Sequence, residues 1–76
     1  MRFLLAWYDK TTEELQGEIL LPEATEITVR GIFGLETDEY PGDCLDVKPD
    51  HVAWLSQQTK LSLEFDRYDY FVEATS

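Results

Sequence analysis

The sequence predicts an α+β fold: a single domain with a four-stranded antiparallel β-sheet and one or two short helices on one face. Three observations predict this fold. Segments typical of strands lie near both ends of the chain, and two short segments between those ends have helical spacing limited by glycine or proline. A length of 76 residues is enough for one domain with a thin core, which spans residues 1–76.

The opening segment predicts a β-hairpin. Residues 3–8 are aromatic and aliphatic, and the Asp and Thr side chains of residues 9–12 favour a turn. Residues 15–21 then form the returning strand, which Pro22 ends. A helix is an alternative for the residues just before Gly17, but Gly17 and Pro22 would leave that helix too short to be stable. We therefore expect a strand.

The middle of the chain predicts a helix, a loop and a short strand. Residues 26–33 have a weak helical pattern closed by Gly34, and a glycine within the pattern limits the expected helix to one or two turns. Residues 36–43 contain a Pro-Gly pair and form a loop. Residues 44–47 alternate in polarity and predict a short strand. Pro49 suits the first position of a second helix.

The last third of the chain predicts that second helix and a closing strand. Val52 and Leu55 form the buried stripe of the helix, and Trp54 is a further candidate for it. Alternation over residues 61–65 indicates that a strand begins there, residues 67–69 interrupt it, and residues 70–74 complete it. The predicted order of elements is therefore β-β-α-β-α-β, with antiparallel neighbours.

Alternation along the strands also predicts which side chains share a face. In each strand one face is apolar, and the other mixes an aromatic ring or a thiol with carboxylates. Helices on one side would cover the apolar face and leave the mixed face uncovered. The side chains expected on this uncovered face are Tyr8, Cys44, Asp46, Phe71 and Glu73.

The chain is strongly acidic. It contains 16 Asp and Glu residues against 6 Lys and Arg residues, for a formal net charge of -10. Contacts to phosphate groups need Lys and Arg, so this charge argues against nucleic acid and anionic membranes as partners and favours a basic protein. The alternative is that the charge serves solubility alone, and composition by itself gives the two interpretations equal weight.

Other features of the composition indicate a cytoplasmic protein. The apolar run that begins at Phe3 is shorter than the roughly 7–15 residues of the hydrophobic region of a signal peptide. No run approaches the roughly 18 apolar residues of a membrane span. Cys44 is the single cysteine and cannot form an internal disulfide, which agrees with a reducing compartment.

The sequence offers little for catalysis or metal binding. It lacks the common nucleophile, phosphate-binding and zinc motifs, and His51 is its only histidine. A catalytic pair of Cys44 and His51 would require the fold to bring them together, and we expect His51 to be solvated instead. The carboxylates in and after the 36–43 loop lack the spacing of an EF-hand, so a calcium site is a minor alternative. We expect no enzymatic activity, metal or cofactor.

Three segments occur in the order in which one known family has them. Residues 7–18 read Trp-Tyr-Asp-Lys-Thr-Thr-Glu-Glu-Leu-Gln-Gly-Glu, residues 42–47 read Gly-Asp-Cys-Leu-Asp-Val, and residues 68–72 read Tyr-Asp-Tyr-Phe-Val. They resemble the opening hairpin, a Gly-Cys-Phe-Asp-Val strand and the final strand of the cloacin-type immunity proteins, which inhibit ribosome-inactivating ribonuclease colicins. The resemblance implies that the uncovered sheet face binds the basic nuclease domain of a toxin and blocks its access to the ribosome.

The resemblance also implies a set of toxin-binding residues. Tyr8 and Phe71 match aromatic contacts of that family, and Leu15 matches an apolar one. Cys44 matches a position that selects the partner, and Asp46 follows on the same side. Further carboxylates complete the predicted site. They are Glu13, Glu73 and the loop residues Asp38, Glu39 and Asp43.

The expected area of the interface suggests a role for the acidic loop. A standard interface takes about 800 Å² from each partner, whereas four strands of about six residues project only on the order of 400 Å². We therefore expect the 36–43 loop to flank the sheet face in the complex. The leading hypothesis is an immunity protein, either a monomer or a weak homodimer. The alternative is a stand-alone interaction module that uses the same sheet to self-associate.

Overall fold

The computed structural model describes residues 2–35 and 44–75 and has a four-stranded antiparallel sheet with two helices. The α+β prediction and the predicted order of strands and helices are therefore confirmed. The elements are β1 (Arg2–Asp9), β2 (Leu15–Leu21), α1 (Glu26–Phe33), β3 (Leu45–Asp46), a 3₁₀ turn (Pro49–His51), α2 (Val52–Gln58) and β4 (Tyr68–Thr75).

The sheet has the strand order β2-β1-β4-β3, and each neighbouring pair is antiparallel. β1 and β4 form its centre, with a register that runs from Arg2 opposite Thr75 to Asp9 opposite Tyr68. β2 and β3 form its edges. β3 consists of the two residues that pair with β4, so it is shorter than the strand predicted over residues 44–47.

One aspartate fixes the turn between β1 and β2. The Asp9 carboxylate accepts hydrogen bonds from the backbone N–H groups of Thr12 at 2.9 Å and Thr11 at 2.7 Å. These bonds favour the ionised carboxylate and lower the pKa of Asp9 below its ordinary value. Glu13 then adopts a positive φ of 63°, which turns the chain into β2. The predicted turn is confirmed, and it positions Glu13 at the end of the hairpin.

α1 has the length and the ends that the sequence predicts. The Thr25 hydroxyl caps its N-terminus by accepting a hydrogen bond from the Thr28 backbone N–H at 3.2 Å. Gly34 ends the helix with a φ of 65°, a left-handed conformation that glycine adopts without steric cost. Val29 is the buried residue that holds the helix on the sheet.

A 3₁₀ turn precedes α2 and begins at Pro49, where the sequence predicts the helix to start. The α-helix itself begins at Val52, and its C-terminal cap is Thr59, whose hydroxyl donates to the Leu55 carbonyl at 3.2 Å. Leu55 is buried as predicted, whereas Val52 is half-buried. A single fully buried side chain therefore anchors this helix.

His51 is half-buried, so the expectation that it is solvated is wrong. Its ring lies against Phe33 with 4.3 Å between the ring centroids. Its Nδ1 accepts a hydrogen bond from the Lys48 backbone N–H at 3.0 Å. Loss of solvation lowers the pKa of His51 below its ordinary value. His51 therefore joins the 3₁₀ turn to the end of α1.

The prediction of a strand that begins within residues 61–65 is wrong. There is no strand between α2 and β4, and β4 starts at Tyr68. Leu61, Leu63 and Phe65 nevertheless pack against the core, while the residues between them are exposed. The alternation therefore reflects alternate burial along an irregular segment that leads into a turn at Phe65.

The core lies on one face of the sheet, here called the inner face. Phe3 and Leu5 of β1 and Val72 of β4 are fully buried there. The buried side chains of the two helices, Val29 and Leu55, belong to the same cluster. The described helices therefore cover the inner face. The opposite side of the sheet, here called the outer face, lacks such a layer in the described part of the chain.

Both helices are short: α1 has 8 residues and α2 has 7. Neither is long and apolar enough to cross a membrane, and this holds for every helix within residues 2–35 and 44–75.

Candidate protein-binding site

The outer face combines residues from all four strands, and the register of the strands shows which residues share it. Directly opposite residues on paired strands point to the same side of a sheet. The residues of the outer face are Leu4, Ala6 and Tyr8 of β1, Leu15, Glu18 and Leu20 of β2, Asp46 of β3, and Asp69, Phe71 and Glu73 of β4.

Two aromatic rings form the centre of the outer face. The rings of Tyr8 and Phe71 meet edge to face, with centroids 5.7 Å apart and planes at 73°. The Tyr8 hydroxyl donates to Oε2 of Glu73 at 3.3 Å. Because Glu73 stands opposite Leu4, the Tyr8 side chain must cross the row that contains Ala6. This accounts for the full burial of Ala6, above which the described part of the chain has no helix.

Negative charge surrounds this aromatic pair. Loss of solvation raises the pKa of Tyr8 above its ordinary value, and the carboxylates of Glu73 and Glu18 raise it further. Asp46 stands directly opposite Phe71 and is exposed. The centre of the outer face therefore combines apolar rings with a field that favours a cation.

One positively charged side chain of the protein, Lys10, lies at the border of this region. The Lys10 ammonium is 2.9 Å from the Asp69 carboxylate, and the two side chains are 45% and 48% exposed. Exposed pairs of this kind contribute roughly 0–1 kcal/mol to stability. The pair offsets the charge of Asp69. It leaves Glu13, Glu18 and Asp46 without an ion-pair partner in the described part of the chain.

Cys44 lies at the end of β3 as an exposed free thiol. Partial desolvation raises its pKa above the ordinary value, and the carboxylates of Glu73 and Asp46 raise it further. The thiol therefore stays protonated at neutral pH, which makes it a weak nucleophile. Among the described residues no hydrogen bond joins Cys44 to His51, and none of their His, Cys, Asp and Glu side chains form a group of three that could hold a metal.

A shallow depression of about 250 Å³ lies beside the aromatic pair. We call it the outer-face depression. The residues that line it are Tyr8, Glu13, Cys44, Asp69 and Phe71. They come from β1, from the turn after β1, from the approach to β3 and from β4. The hairpin turn and the two central strands thus bring distant parts of the chain to one place on the outer face.

The residues predicted for binding occupy one side of the molecule as far as they are described. Tyr8, Asp46, Phe71 and Glu73 lie on the outer face, and Glu13 and Cys44 line its depression. Leu15 stands opposite Tyr8 and is 51% exposed. The three predicted loop residues lie outside the described residues. They are Asp38, Glu39 and Asp43.

Sequence reasoning missed two features of this face. Asp69 lines the depression and binds Lys10, although its alternation with Phe71 already indicated the outer face. Ala6 is fully buried on the outer face, and its small size beside large neighbours was the available signal. The partnership between Lys10 and Asp69 had no local signal, because it joins residues 59 positions apart.

The fold and the face together define a class: a small acidic α+β protein with an uncovered aromatic and carboxylate sheet face. A family model described as "Domain of unknown function (DUF7683)" matches residues 2–73, so the chain belongs to this family. No match to this chain is found among curated proteins. The resemblance to cloacin-type immunity proteins stays a prediction from the sequence.

Proposed function

We propose that this protein is a non-enzymatic inhibitor that binds a basic protein through its outer face. Its partner is the nuclease domain of a bacteriocin-type ribonuclease. Binding covers the nuclease surface that approaches the ribosome and blocks that approach by bulk and charge. The protein needs no cofactor for this role and acts in the cytoplasm, where the ribosomes to be protected are.

The observation that carries the proposal is the aromatic pair surrounded by carboxylates. Central, partly buried aromatic side chains are typical of the residues that contribute most to binding energy. Tyr8 and Phe71 have this position on the outer face. Glu18, Asp46 and Glu73 surround them with charge complementary to a basic surface. Together they supply both an anchor for the partner and the attraction that brings it in.

The carboxylates at the rim contribute mainly to the rate of association. Exposed charges of opposite sign steer two proteins together, and salt screens this attraction. The net charge of -10 gives the whole molecule a field in the same direction. We therefore expect the association rate to fall steeply as salt rises, while the dissociation rate depends on the two rings.

The available area requires more than the sheet face. The protein exposes 5124 Å², so a contribution of about 800 Å² would take about one-sixth of its surface. The outer face supplies roughly half of that contribution. The hairpin turn with Glu13 and the exposed Leu15 extend the surface on one side. The acidic 36–43 loop, predicted from the sequence to flank this face, lies outside the described residues.

The test expresses the basic nuclease domain that we expect the gene immediately upstream to encode. The purified chain and domain are mixed at low salt, and calorimetry measures Kd while cell-free translation measures protection. We expect binding and protection. Phe71→Ala should weaken the binding free energy by about 2 kcal/mol or more, which raises Kd roughly 30-fold. Ile27→Ala is the control, because Ile27 is 83% exposed on α1, away from the outer face. Absence of association at low salt would contradict the proposal.

A second candidate function is self-association, favoured by the apolar character of β2. This edge strand exposes Leu15, Ile19 and Leu20 at 51%, 37% and 47%. Long apolar edge strands are ready to pair with another chain unless charge or proline protects them. Analytical ultracentrifugation separates the two functions. A tight homodimer that Leu20→Lys or Phe71→Ala dissociates would favour a stand-alone module over a toxin inhibitor.

A further inference from the structure

The outer-face depression has the size of a receptor for one side chain. Its volume is about 250 Å³, below the roughly 300–1,000 Å³ of pockets that enclose small-molecule ligands. It is open to solvent and lies within the face proposed to bind a partner. An occupant that projects from a protein surface can enter it without any movement of the backbone.

The walls of the depression favour a cation. Tyr8 and Phe71 supply aromatic rings, which attract cations through their negative faces. Glu13 supplies a carboxylate that is exposed and has no ion-pair partner in the described part of the chain. Cys44 has a raised pKa and stays neutral, so its thiol adds no competing charge of either sign.

Lys10 is the positively charged side chain of this protein beside the depression, and it is already engaged in an ion pair. Lys10 is paired with Asp69 at 2.9 Å. Among the described residues, Glu13 and Asp69 supply the carboxylates that line the depression, so the pair with Lys10 leaves Glu13 for an incoming group. The field of Glu73, which acts on both Tyr8 and Cys44, adds to the attraction for a second cation.

We propose that the outer-face depression binds one arginine side chain of the partner, with its guanidinium against Tyr8 and Phe71 and paired with Glu13. Arginine suits these walls better than lysine. Its planar guanidinium stacks on aromatic rings, is more weakly hydrated than an ammonium, and binds a carboxylate through two parallel hydrogen bonds. This inference rests on the proposed function for the identity of the partner, but it can be tested without that partner.

The test is an NMR titration of the full chain with the peptide Ac-Gly-Arg-Gly-NH₂. We expect saturable shifts confined to the residues that line the depression. The same peptide with citrulline, a neutral isostere of arginine, should bind at least about fivefold more weakly, because a charge-assisted hydrogen bond is roughly twice as strong as a neutral one. A lysine peptide should also bind more weakly than the arginine peptide.

Glu13→Gln and Glu23→Gln make the same chemical change at two positions, so comparing them isolates the effect of the position. Glu13→Gln should weaken the arginine peptide at least about threefold, because it removes the paired charge. Glu23→Gln removes another exposed carboxylate, in the turn after β2, and should leave binding unchanged. The amide spectrum of each variant checks that its fold is retained.

The inference is overturned if citrulline or lysine binds as tightly as arginine. It is also overturned if the shifts map elsewhere, or if the two glutamate variants weaken binding equally. These outcomes are separate from the fate of the proposed function. A nuclease that binds the outer face while the arginine peptide does not would overturn the arginine site alone. A peptide that binds while no nuclease does would overturn the inhibitor alone.

Discussion

Both faces of the sheet carry aromatic side chains, but the two faces differ in what covers those side chains. On the inner face Phe3 and Val72 are fully buried beneath the helices. On the outer face Tyr8 and Phe71 are half-buried and cover each other. The same alternation along β1 and β4 thus yields a core on one side and, on the other, the half-buried rings of the proposed binding face. The burial of an aromatic side chain on this sheet therefore depends on whether a helix of the described part of the chain lies above it.

The largest expected effect compares one phenylalanine from each face. Phe3→Ala should lower the free energy of unfolding by about 3–5 kcal/mol, because it leaves a cavity under the helices. Phe71→Ala should cause a clearly smaller loss, since its ring is already partly in water. Urea denaturation of the two variants measures both values. Equal losses would mean that the outer face is also a core, and the comparison between the faces would fail.

A second prediction concerns the inner face near the hairpin. Gly17 stands opposite Trp7, and a β-carbon at Gly17 would overlap the indole ring. Gly17→Ala should therefore lower the free energy of unfolding by about 1–3 kcal/mol, the usual cost of overpacking.

Gly31→Ala is the matched control for Gly17→Ala, because a β-carbon at Gly31 meets no atom within 4 Å. In the middle of α1 this change should raise the free energy of unfolding by about 0.5–1 kcal/mol, since alanine is the better helix former. Denaturation midpoints that fall for both glycine variants would contradict the close packing of Trp7 on Gly17.

A third prediction tests the pH dependence of the helical layer on the inner side. The pKa of His51 is lowered by desolvation, with opposing effects from Asp50 and Lys48. The unfolded chain therefore binds a proton more readily, so the stability from neutral His51 is present above about pH 6.5 and is lost as pH falls through the lowered pKa. Protonation also removes the Nδ1 lone pair that accepts from Lys48.

Melting curves at pH 7.5 and 5.5 measure this effect. We expect the Tm to be lower at pH 5.5, and the difference between the two pH values to shrink in His51→Gln. His51 is the only histidine, so no other side chain has its ordinary pKa in this interval. A difference that persists unchanged in the variant would show that His51 does not carry it.

The smallest predicted effect concerns the electrostatics of the outer face. The pKa of Tyr8 is raised by desolvation and then by Glu73. Glu73→Gln should lower the pKa of Tyr8 toward its ordinary value without reaching it, because desolvation remains. NMR titration of the tyrosine Cζ resonances follows each ring separately. A Tyr8 pKa that does not change would mean that the contact with Glu73 is absent in solution.

Much of this fold could be predicted because its signals are local. The Asp and Thr turn, the cap at Gly34 and the alternation along β1 each depend on a few neighbouring residues. The strand predicted within residues 61–65 was wrong because alternation reports burial, and pairing depends on where the other strands lie. The half-burial of His51 depends on Phe33 in a different helix, which no local pattern encodes.

Some features of the candidate site could likewise be predicted from local sequence, and others could not. The side of the sheet to which Tyr8 and Phe71 point follows from period-two alternation, and the structure agrees. The contact between their rings, the burial of Ala6 and the pairing of Lys10 with Asp69 follow from the register between β1 and β4. That register joins opposite ends of the sequence, so it becomes visible only in the folded chain.

The central pairing of β1 with β4 has a further consequence for how the molecule folds. Arg2 pairs with Thr75, so closing the sheet requires the ends of a long loop to meet. The entropy of that closure must be overcome before the contacts are gained, which makes topologies of this kind slow to fold. During synthesis the hairpin of β1 and β2 can form early, but its other edge stays open until β4 has left the ribosome. A nascent chain therefore exposes Tyr8 on β1 before Phe71 on β4 can cover it and before the core is complete.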